Sequence, residues 1–354
     1  MKISGDFALP LRVDQVLDLI AAQPRVRLAC LPTPLHEAPG LTRLLGGPRV
    51  FIKRDDLTGL GLGGNKSRNL EFRMVAPVQA GADVLVMALD VTSNSARQTI
   101  AAGNRFGMRT VLVLKGHRPQ LLQGNLLINA ILGAELHFAE DDNEQADLIQ
   151  RLLDKLRGLG HRPMVLTGEA IFNVGSALAY LECGVEIVDQ MSGIGLAPDY
   201  LYMASGGKGQ AGLVIAKVLL GAGFHVHGVT VRHEHDVPPR TARIANDALG
   251  LLGVDVEVEP EDVTSFSDFI GPGYGEVTPG CLEAIELMAQ TEGIILDPVY
   301  TGKAFAALLN HVRTGAIPEE ANVVFVHTGG APAVFSFADV ILDYLNERRR
   351  PVGA

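Results

Sequence analysis

The residues of this chain that could do chemistry on a small molecule gather at a few glycine-rich turns. Lys66 ends the first, Gly61-Leu62-Gly63-Gly64-Asn65-Lys66-Ser67. A lysine just inside a helix start feels the partial positive charge of the helix N-terminus, which works against the ammonium form and toward a nucleophilic amine. The plain alternative is a solvated surface cation. The run nearly reads as a nucleoside-triphosphate loop. Asn65, however, stands where a glycine should precede the lysine, and the strand-like Val50-Phe51-Ile52 lies too far upstream to feed it. The second turn, Ser205-Gly206-Gly207-Lys208-Gly209-Gln210-Ala211-Gly212, follows a strand-like run and opens a helix. Its backbone N–H groups are free to face an anion, with the helix dipole adding to the attraction. Gly207, Gly209 and Gly212 also keep the dinucleotide-binding spacing, and Arg232 and Glu234 follow about 20 residues on, where that reading wants them. An NADP-linked oxidoreductase is therefore one competing reading, and a ligand-free strand–helix turn is another. The third turn, His327-Thr328-Gly329-Gly330-Ala331-Pro332, is by itself only a turn. Tyr274 in Gly271-Pro272-Gly273-Tyr274-Gly275 and Tyr300 in Asp297-Pro298-Val299-Tyr300-Thr301-Gly302-Lys303 sit in turn sequence, where a hydroxyl can be offered to a ligand or a ring can pack on a loop.

Such turns need strands and helices to hold them. Strand-like runs fall at Val50–Ile52, Val84–Ala88, Thr110–Leu114, Glu135–Phe138, Met164–Leu166, Tyr200–Met203, Val226–Val231 and Val323–His327. Helical patterns lie between most of them: Ser67–Ala80, Ser95–Phe106, Gln120–Leu132, Asn143–Leu159, Gln210–Leu219, Pro279–Glu292 and Val334–Leu345. This alternation predicts an α/β fold with parallel sheets covered by helices on both faces. The nearly continuous apolar character of the strand runs agrees with it. Ligands of such folds sit at the carboxyl ends of the strands, which is where the three turns lie.

Length and composition narrow the class. The 354 residues suit two α/β lobes, and 47% hydrophobic with 20% charged residues predicts a packed globular protein. A net charge of −10 argues against nucleic acid as a partner and gives no reason to invoke an anionic membrane surface. Cys30, Cys183 and Cys281 are widely spaced and form no CxxC pair, so neither a disulfide framework nor a metal cluster is expected, and a reducing compartment is. The first ten residues lack a signal-peptide pattern, and no run is long and apolar enough to span a bilayer.

Taken in order, the motifs resemble the D-cysteine desulfhydrase and 1-aminocyclopropane-1-carboxylate deaminase family of pyridoxal-phosphate enzymes. Leu31-Pro32-Thr33-Pro34-Leu35 is similar to the family's opening, and Ile52-Lys53-Arg54-Asp55-Asp56 leads to Gly63-Gly64-Asn65-Lys66-Ser67-Arg68-Asn69-Leu70-Glu71, which resembles its Schiff-base segment. Ser93-Asn94 with Arg97-Gln98-Thr99 resembles its substrate turn, Ser205-Gly206 the start of its phosphate loop, and the segments around Tyr274, Tyr300 and Thr328 its active-site and C-terminal turns. The resemblance implies a fold type II architecture, with two three-layer αβα lobes. Residues 1–62 with 168–354 would form the larger, cofactor-binding domain, and 63–167 the smaller one. It implies that Lys66 holds pyridoxal 5'-phosphate as a Schiff base and moves protons at Cα. Asn94 would contact the ring hydroxyl, and Gly206, Gly207, Lys208 and Gly209, with Thr328, would hold the cofactor. Ser93 would face the substrate carboxylate beside Ser95, and Tyr274 and Tyr300 would flank the substrate. Thr301 would face the pyridine nitrogen, where the deaminases carry glutamate and the desulfhydrases threonine. That difference favours β-elimination of a good leaving group, with a 2-oxo acid, ammonia and a thiol or sulfide as products.

A cytoplasmic homodimer acting on a small amino acid, without metal, is the corresponding expectation. Ring opening of 1-aminocyclopropane-1-carboxylate, racemisation and β-replacement are the alternatives on the same cofactor, and a cofactor-binding protein without catalysis is a further one. Three features depart from the family pattern: Ser95 after Ser-Asn; a phosphate loop shortened by one residue and carrying Lys208; and Thr167-Gly168-Glu169-Ala170-Ile171-Phe172-Asn173, in which Glu169 is a candidate contact to a substrate amine. Together they point to a substrate that differs from D-cysteine itself.

Overall fold

In the computed structural model, which describes residues 9–166 and 170–349, the strands are β1 (Leu35–Glu37), β2 (Arg49–Lys53), β3 (Val84–Asp90), β4 (Arg109–Lys115), β5 (Glu135–Ala139), β6 (Pro163–Val165), β7 (Tyr200–Ala204), β8 (His225–Val229), β9 (Thr264–Phe266) and β10 (Asn322–Val326). They assemble into two sheets, ordered β1-β2-β10-β7-β8-β9 and β5-β4-β3-β6. Every pairing is parallel except one: β1 runs antiparallel to β2, so the larger sheet is mixed at that edge. The expected parallel sheets are present, with this one antiparallel pair at the edge.

Period-two alternation along the strands separates the two faces of each sheet. Val324 and Val326 of β10 join Leu201, Met203 and Phe51 against the helices Ala170–Gly193, Lys208–Leu220 and Val237–Leu252. Val323 and Phe325 join Val50, Ile52 and Tyr202 against Pro279–Glu292 and Thr301–Arg313 on the other side. In the smaller sheet Leu85, Met87, Leu112 and Leu114 meet Leu70 and Ile100 of the helices Lys66–Arg73 and Ser95–Arg105. Val84, Val86, Val111 and Val113 meet Leu152, Leu153 and Leu156 of Asp142–Gly158. Each sheet is thus the middle of an αβα sandwich. Each fully buried aliphatic side chain contributes roughly 1.5–3 kcal/mol toward holding it.

Two helices expected from the sequence are divided. Ser67–Ala80 resolves into Lys66–Arg73 and Val75–Gln79, because Pro77 has no N–H to give to the Arg73 carbonyl and its ring crowds that carbonyl. Val334–Leu345 resolves into a 3-10 turn, Ala331–Phe337, followed by the helix Ala338–Arg349. The helices Ala170–Gly193, Val237–Leu252 and Thr301–Arg313 were not anticipated from the sequence. The first of them buries residues on every side, which erases the 3.6-residue pattern by which a helix is recognised. No helix among the described residues is long and apolar enough to cross a membrane.

Candidate active site

The turns after β3, β7 and β10 open onto one cleft of about 540 Å³. Lys66 reaches it from the side as the first residue of its helix. The glycine run before it is a matter of space. Gly63 has a φ of +70°, and a Cβ there would lie 1.8 Å from the Asp56 carbonyl oxygen, so an L side chain fits neither the backbone nor the room. The helix is pinned from below by buried charges. Arg68 donates to Asp55 at 2.9–3.0 Å and to Glu186 at 2.7–2.8 Å, and Lys53 meets Glu186 at 2.6 Å. Removing one partner of such a network would strand a buried charge, so its geometry is rigid. Lys66 Nζ donates to Asn65 Oδ1 at 3.1 Å. Burial, then the neighbouring charges of Arg73, Lys208 and Arg97, push the Lys66 ammonium down to about 7. A fraction of this amine is therefore unprotonated and nucleophilic near neutrality.

One end of the cleft gathers cations around a helix N-terminus. Gly207 caps the helix Lys208–Leu220 at φ +103°, and its N–H donates to Ser205 Oγ at 2.9 Å. Gly206, Lys208 and Gly209 line the cleft beside it. Lys208 faces Arg73 from the helix of Lys66 and Arg240 from the helix Val237–Leu252; burial, followed by these two cations, pushes its ammonium down. Arg73 Nε and Arg240 Nε are both buried, and neither has a hydrogen-bond partner among the described residues. Stranded guanidinium donors next to a helix N-terminus call for an anion between them.

Gly212 completes the sequence spacing that allowed a dinucleotide reading, but it does not face the cleft. A Cβ on it would lie 2.2 Å from the Ala177 carbonyl oxygen of the helix Ala170–Gly193. Its smallness lets two helices touch, and the nicotinamide reading loses support.

The other end carries hydroxyls and one guanidinium. Ser93, Asn94 and Ser95 follow β3 at the start of the helix Ser95–Arg105, and all three line the cleft. Ser93 Oγ accepts from the Ser95 N–H at 3.2 Å. Tyr300 lines the cleft too, its hydroxyl 2.5 Å from that of Tyr274. Burial, then the Tyr274 phenol, pushes Tyr300 well above the ordinary range, so it stays protonated. Arg232 also lines the cleft. Its guanidinium stacks 3.5 Å above the centre of the Tyr274 ring and donates to Asp90 at 2.5 Å, joining the larger sheet to the end of β3.

Three expected contacts lie one layer back. Gly207 is outside the cleft lining, because its N–H turns to Ser205 Oγ. Tyr274 is not among the cleft-lining residues; it reaches the cleft through the Tyr300 hydroxyl. Thr301 is fully buried and also outside the lining. Its hydroxyl donates to Asp297 Oδ1 at 2.8 Å and accepts from the Asp297 N–H at 2.8 Å. The cause is the capping role of Asp297, whose carboxylate also accepts from the N–H groups of Val299, Tyr300 and Thr301 and draws the threonine toward itself. Thr328 does line the cleft, and its carbonyl accepts from the Asn65 N–H at 3.0 Å. Glu169, with Thr167 and Gly168, lies outside the described residues; Asn173 and Ser176 just beyond them reach the cleft.

Sequence reasoning missed Arg73, Arg240, Asp90 and the stacking of Arg232. Arg73 carried a usable signal, since it lies two helical turns beyond Lys66 on the same face. The others come together only through the fold.

Comparison with known proteins agrees with this geometry. Residues 26–329 match the family model described as pyridoxal-phosphate dependent enzyme. The chain is 35% identical over 321 residues to a D-cysteine desulfhydrase of Klebsiella pneumoniae (strain 342), covering 89% of this chain and 96% of the relative. It is 35% identical over 325 residues to the D-cysteine desulfhydrase of Serratia proteamaculans (strain 568), covering 90% and 97%. A crystal structure of an ACC deaminase homologue superposes with a TM-score of 0.82 at 34% identity, covering 93% of this chain and 98% of that one.

Proposed function

The chain belongs to the pyridoxal-phosphate-dependent enzymes, and we propose that it acts as a carbon–sulfur lyase, eliminating a thiol or sulfide from Cβ of a small amino acid of the D-cysteine type. The observation that carries this reading is Lys66, an amine lowered to about 7 and set in one cleft with a site for an anion and a protonated phenol.

The residues present fit the cofactor. Lys66 would hold its aldehyde carbon. The N–H groups of Gly206 and Gly209, with Lys208, Arg73 and Arg240, would hold its phosphate, where two guanidinium Nε donors otherwise lack partners. Asn94 and Thr328 would stand beside its ring. When bound, the cofactor supplies an electron sink for the charge left at Cα.

The chain's own groups account for the rest. Ser93 and the helix N-terminus at Ser95 would bind the substrate carboxylate. Lys66, once free of the cofactor, would take the Cα proton. Tyr300 would give its proton to the departing sulfur and recover one through Tyr274. The Cβ–S bond breaks with the electron pair leaving on sulfur. Hydrolysis of the remaining enamine yields a 2-oxo acid and ammonia.

The relatives named D-cysteine desulfhydrase support elimination. Ring opening of 1-aminocyclopropane-1-carboxylate is the second reading, favoured by the ACC deaminase homologue. Racemisation and β-replacement use the same groups with a different fate for the charge. The same proposal includes a cytoplasmic homodimer, with lobes of 1–62 plus 168–354 and of 63–167. A visible absorbance that disappears on borohydride reduction, and is absent in Lys66→Ala, tests the cofactor. Sulfide and 2-oxo acid from D-cysteine, set against 2-oxobutanoate from 1-aminocyclopropane-1-carboxylate, test the reaction. A colourless protein that releases neither overturns the reading.

A further inference from the structure

Arg97 is fully buried in the helix Ser95–Arg105 and is not among the residues lining the cleft. Its Nη1 donates to the carbonyl oxygens of Gly61 and Gly63 (2.8 Å for Gly63), in the loop that delivers Lys66. Its Nε donates to Asn125 Oδ1 at 3.0 Å. Asn125, also buried, donates from Nδ2 to Asn94 Oδ1 at 2.6 Å.

The direction of this chain is set at one end. A guanidinium has donors and no acceptor, so the Asn125 atom facing Arg97 must be its oxygen. The other half of that amide is then a donor, and it fixes Asn94 with its oxygen toward Asn125. The Asn94 amide nitrogen is left as the half available to the cleft that Asn94 lines. A second tie holds the same turn: Gln98 accepts from Ser67 N–H and Oγ at 2.8 and 3.0 Å and donates to the Asn94 carbonyl at 3.4 Å. Burial pushes the Arg97 guanidinium down only to about 10, so it remains a cation and a pure donor at neutral pH.

We infer that Arg97 and Asn125 are positioning residues that polarise Asn94, so that the site offers an N–H donor, and not an acceptor, to the cofactor's ring oxygen. This rests on cofactor binding at Lys66. A donor there stabilises the ring oxygen as an anion, with the shared proton on the lysine nitrogen, the form that absorbs in the visible. An acceptor there would require the proton on the ring oxygen, the form that absorbs in the near ultraviolet.

Asn125→Asp tests the polarity with little change of shape. Its carboxylate still accepts from Arg97 but cannot donate to Asn94, whose amide must turn over and present its oxygen to the cleft. In the purified, cofactor-loaded enzyme the ratio of visible to near-ultraviolet absorbance is expected to fall about fivefold, the effect of losing one net hydrogen bond. Asn125→Ala, which releases Asn94 without reversing it, should lower the ratio less. In an Asn94→Ala background, Asn125→Asp should produce no further change, because the relay has no other outlet. An unchanged ratio in Asn125→Asp, an Asn125→Ala effect as large as that of Asn125→Asp, or an equal drop in the Asn94→Ala background would each overturn the inference. A wild-type enzyme with no visible band would instead overturn the reading of Lys66, so the two failures are distinguishable.

Discussion

The two ends of the cleft are built on opposite electrostatic terms. At the glycine-loop end, Lys208, Arg73 and Arg240 gather around a helix N-terminus; Arg240 pairs with Glu234 and Asp236, while Arg73 and Lys208 have no carboxylate ion-pair partner among the described residues. At the tyrosine end, the one guanidinium is matched: Arg232 pairs with Asp90 and stacks on Tyr274. Excess buried positive charge is costly unless a ligand supplies the counter-charge, so the first end is made for a resident polyanion. The second end is satisfied by the chain itself, which under the proposed function would let it exchange small substrates and products without exposing an unpaired charge.

The sharpest test of this contrast is the group that sits between the ends. Lys66→Ala should lower turnover by about a thousandfold or more, measured as 2-oxo acid release at saturating cofactor, since it removes both the covalent tether and the proton carrier. Near-wild-type turnover would break the whole arrangement. Next come the unpaired cations. Arg73→Met and Lys208→Met should each weaken pyridoxal phosphate binding by about tenfold or more, the loss of a charge-assisted hydrogen bond, while leaving turnover much less affected once cofactor is saturating. Equilibrium dialysis reads the binding. If neither variant loses affinity, the polyanion is held elsewhere.

Arg232→Met should do the reverse, lowering kcat/KM for the amino acid by about tenfold with cofactor affinity unchanged, because it frees Asp90 and the Tyr274 ring together. Equal loss of cofactor binding would erase the distinction between the ends. Tyr274→Phe should have the smallest effect, a drop in kcat of about fivefold, since it removes one hydrogen bond to Tyr300 and leaves the proton donor in place. The contrast also has a pH signature. The Lys66 amine is protonated below about 7 and free above it, so the rate at which cofactor-free protein regains its visible band should rise as pH increases through about 7 and then level off. A rate that keeps climbing toward pH 10 would mean an ordinary lysine.

Much of this was legible in the chain itself, and the reason is range. Strands such as Val84–Asp90 and Asn322–Val326 show as short apolar runs because both faces are covered, and glycine turns mark their ends. Lys66 at a helix start, the Ser93-Asn94-Ser95 turn and the Ser205–Gly209 loop are local patterns whose backbone chemistry follows from neighbours a few residues away. Composition and charge set aside nucleic acid as a partner before any fold was considered.

What only the tertiary structure decided depends on residues far apart in the chain. Arg232 finds Asp90 at a separation of 142 residues, and Asn125 finds Asn94 at 31. Gly212 could be read as a ligand contact until the helix Ala170–Gly193 was seen pressed against it. Thr301 could be read as facing the cleft until Asp297 claimed its hydroxyl. A donor or an acceptor has no fixed direction in a sequence. It acquires one when packing places a group that can only give, such as Arg97, beside one that can do either.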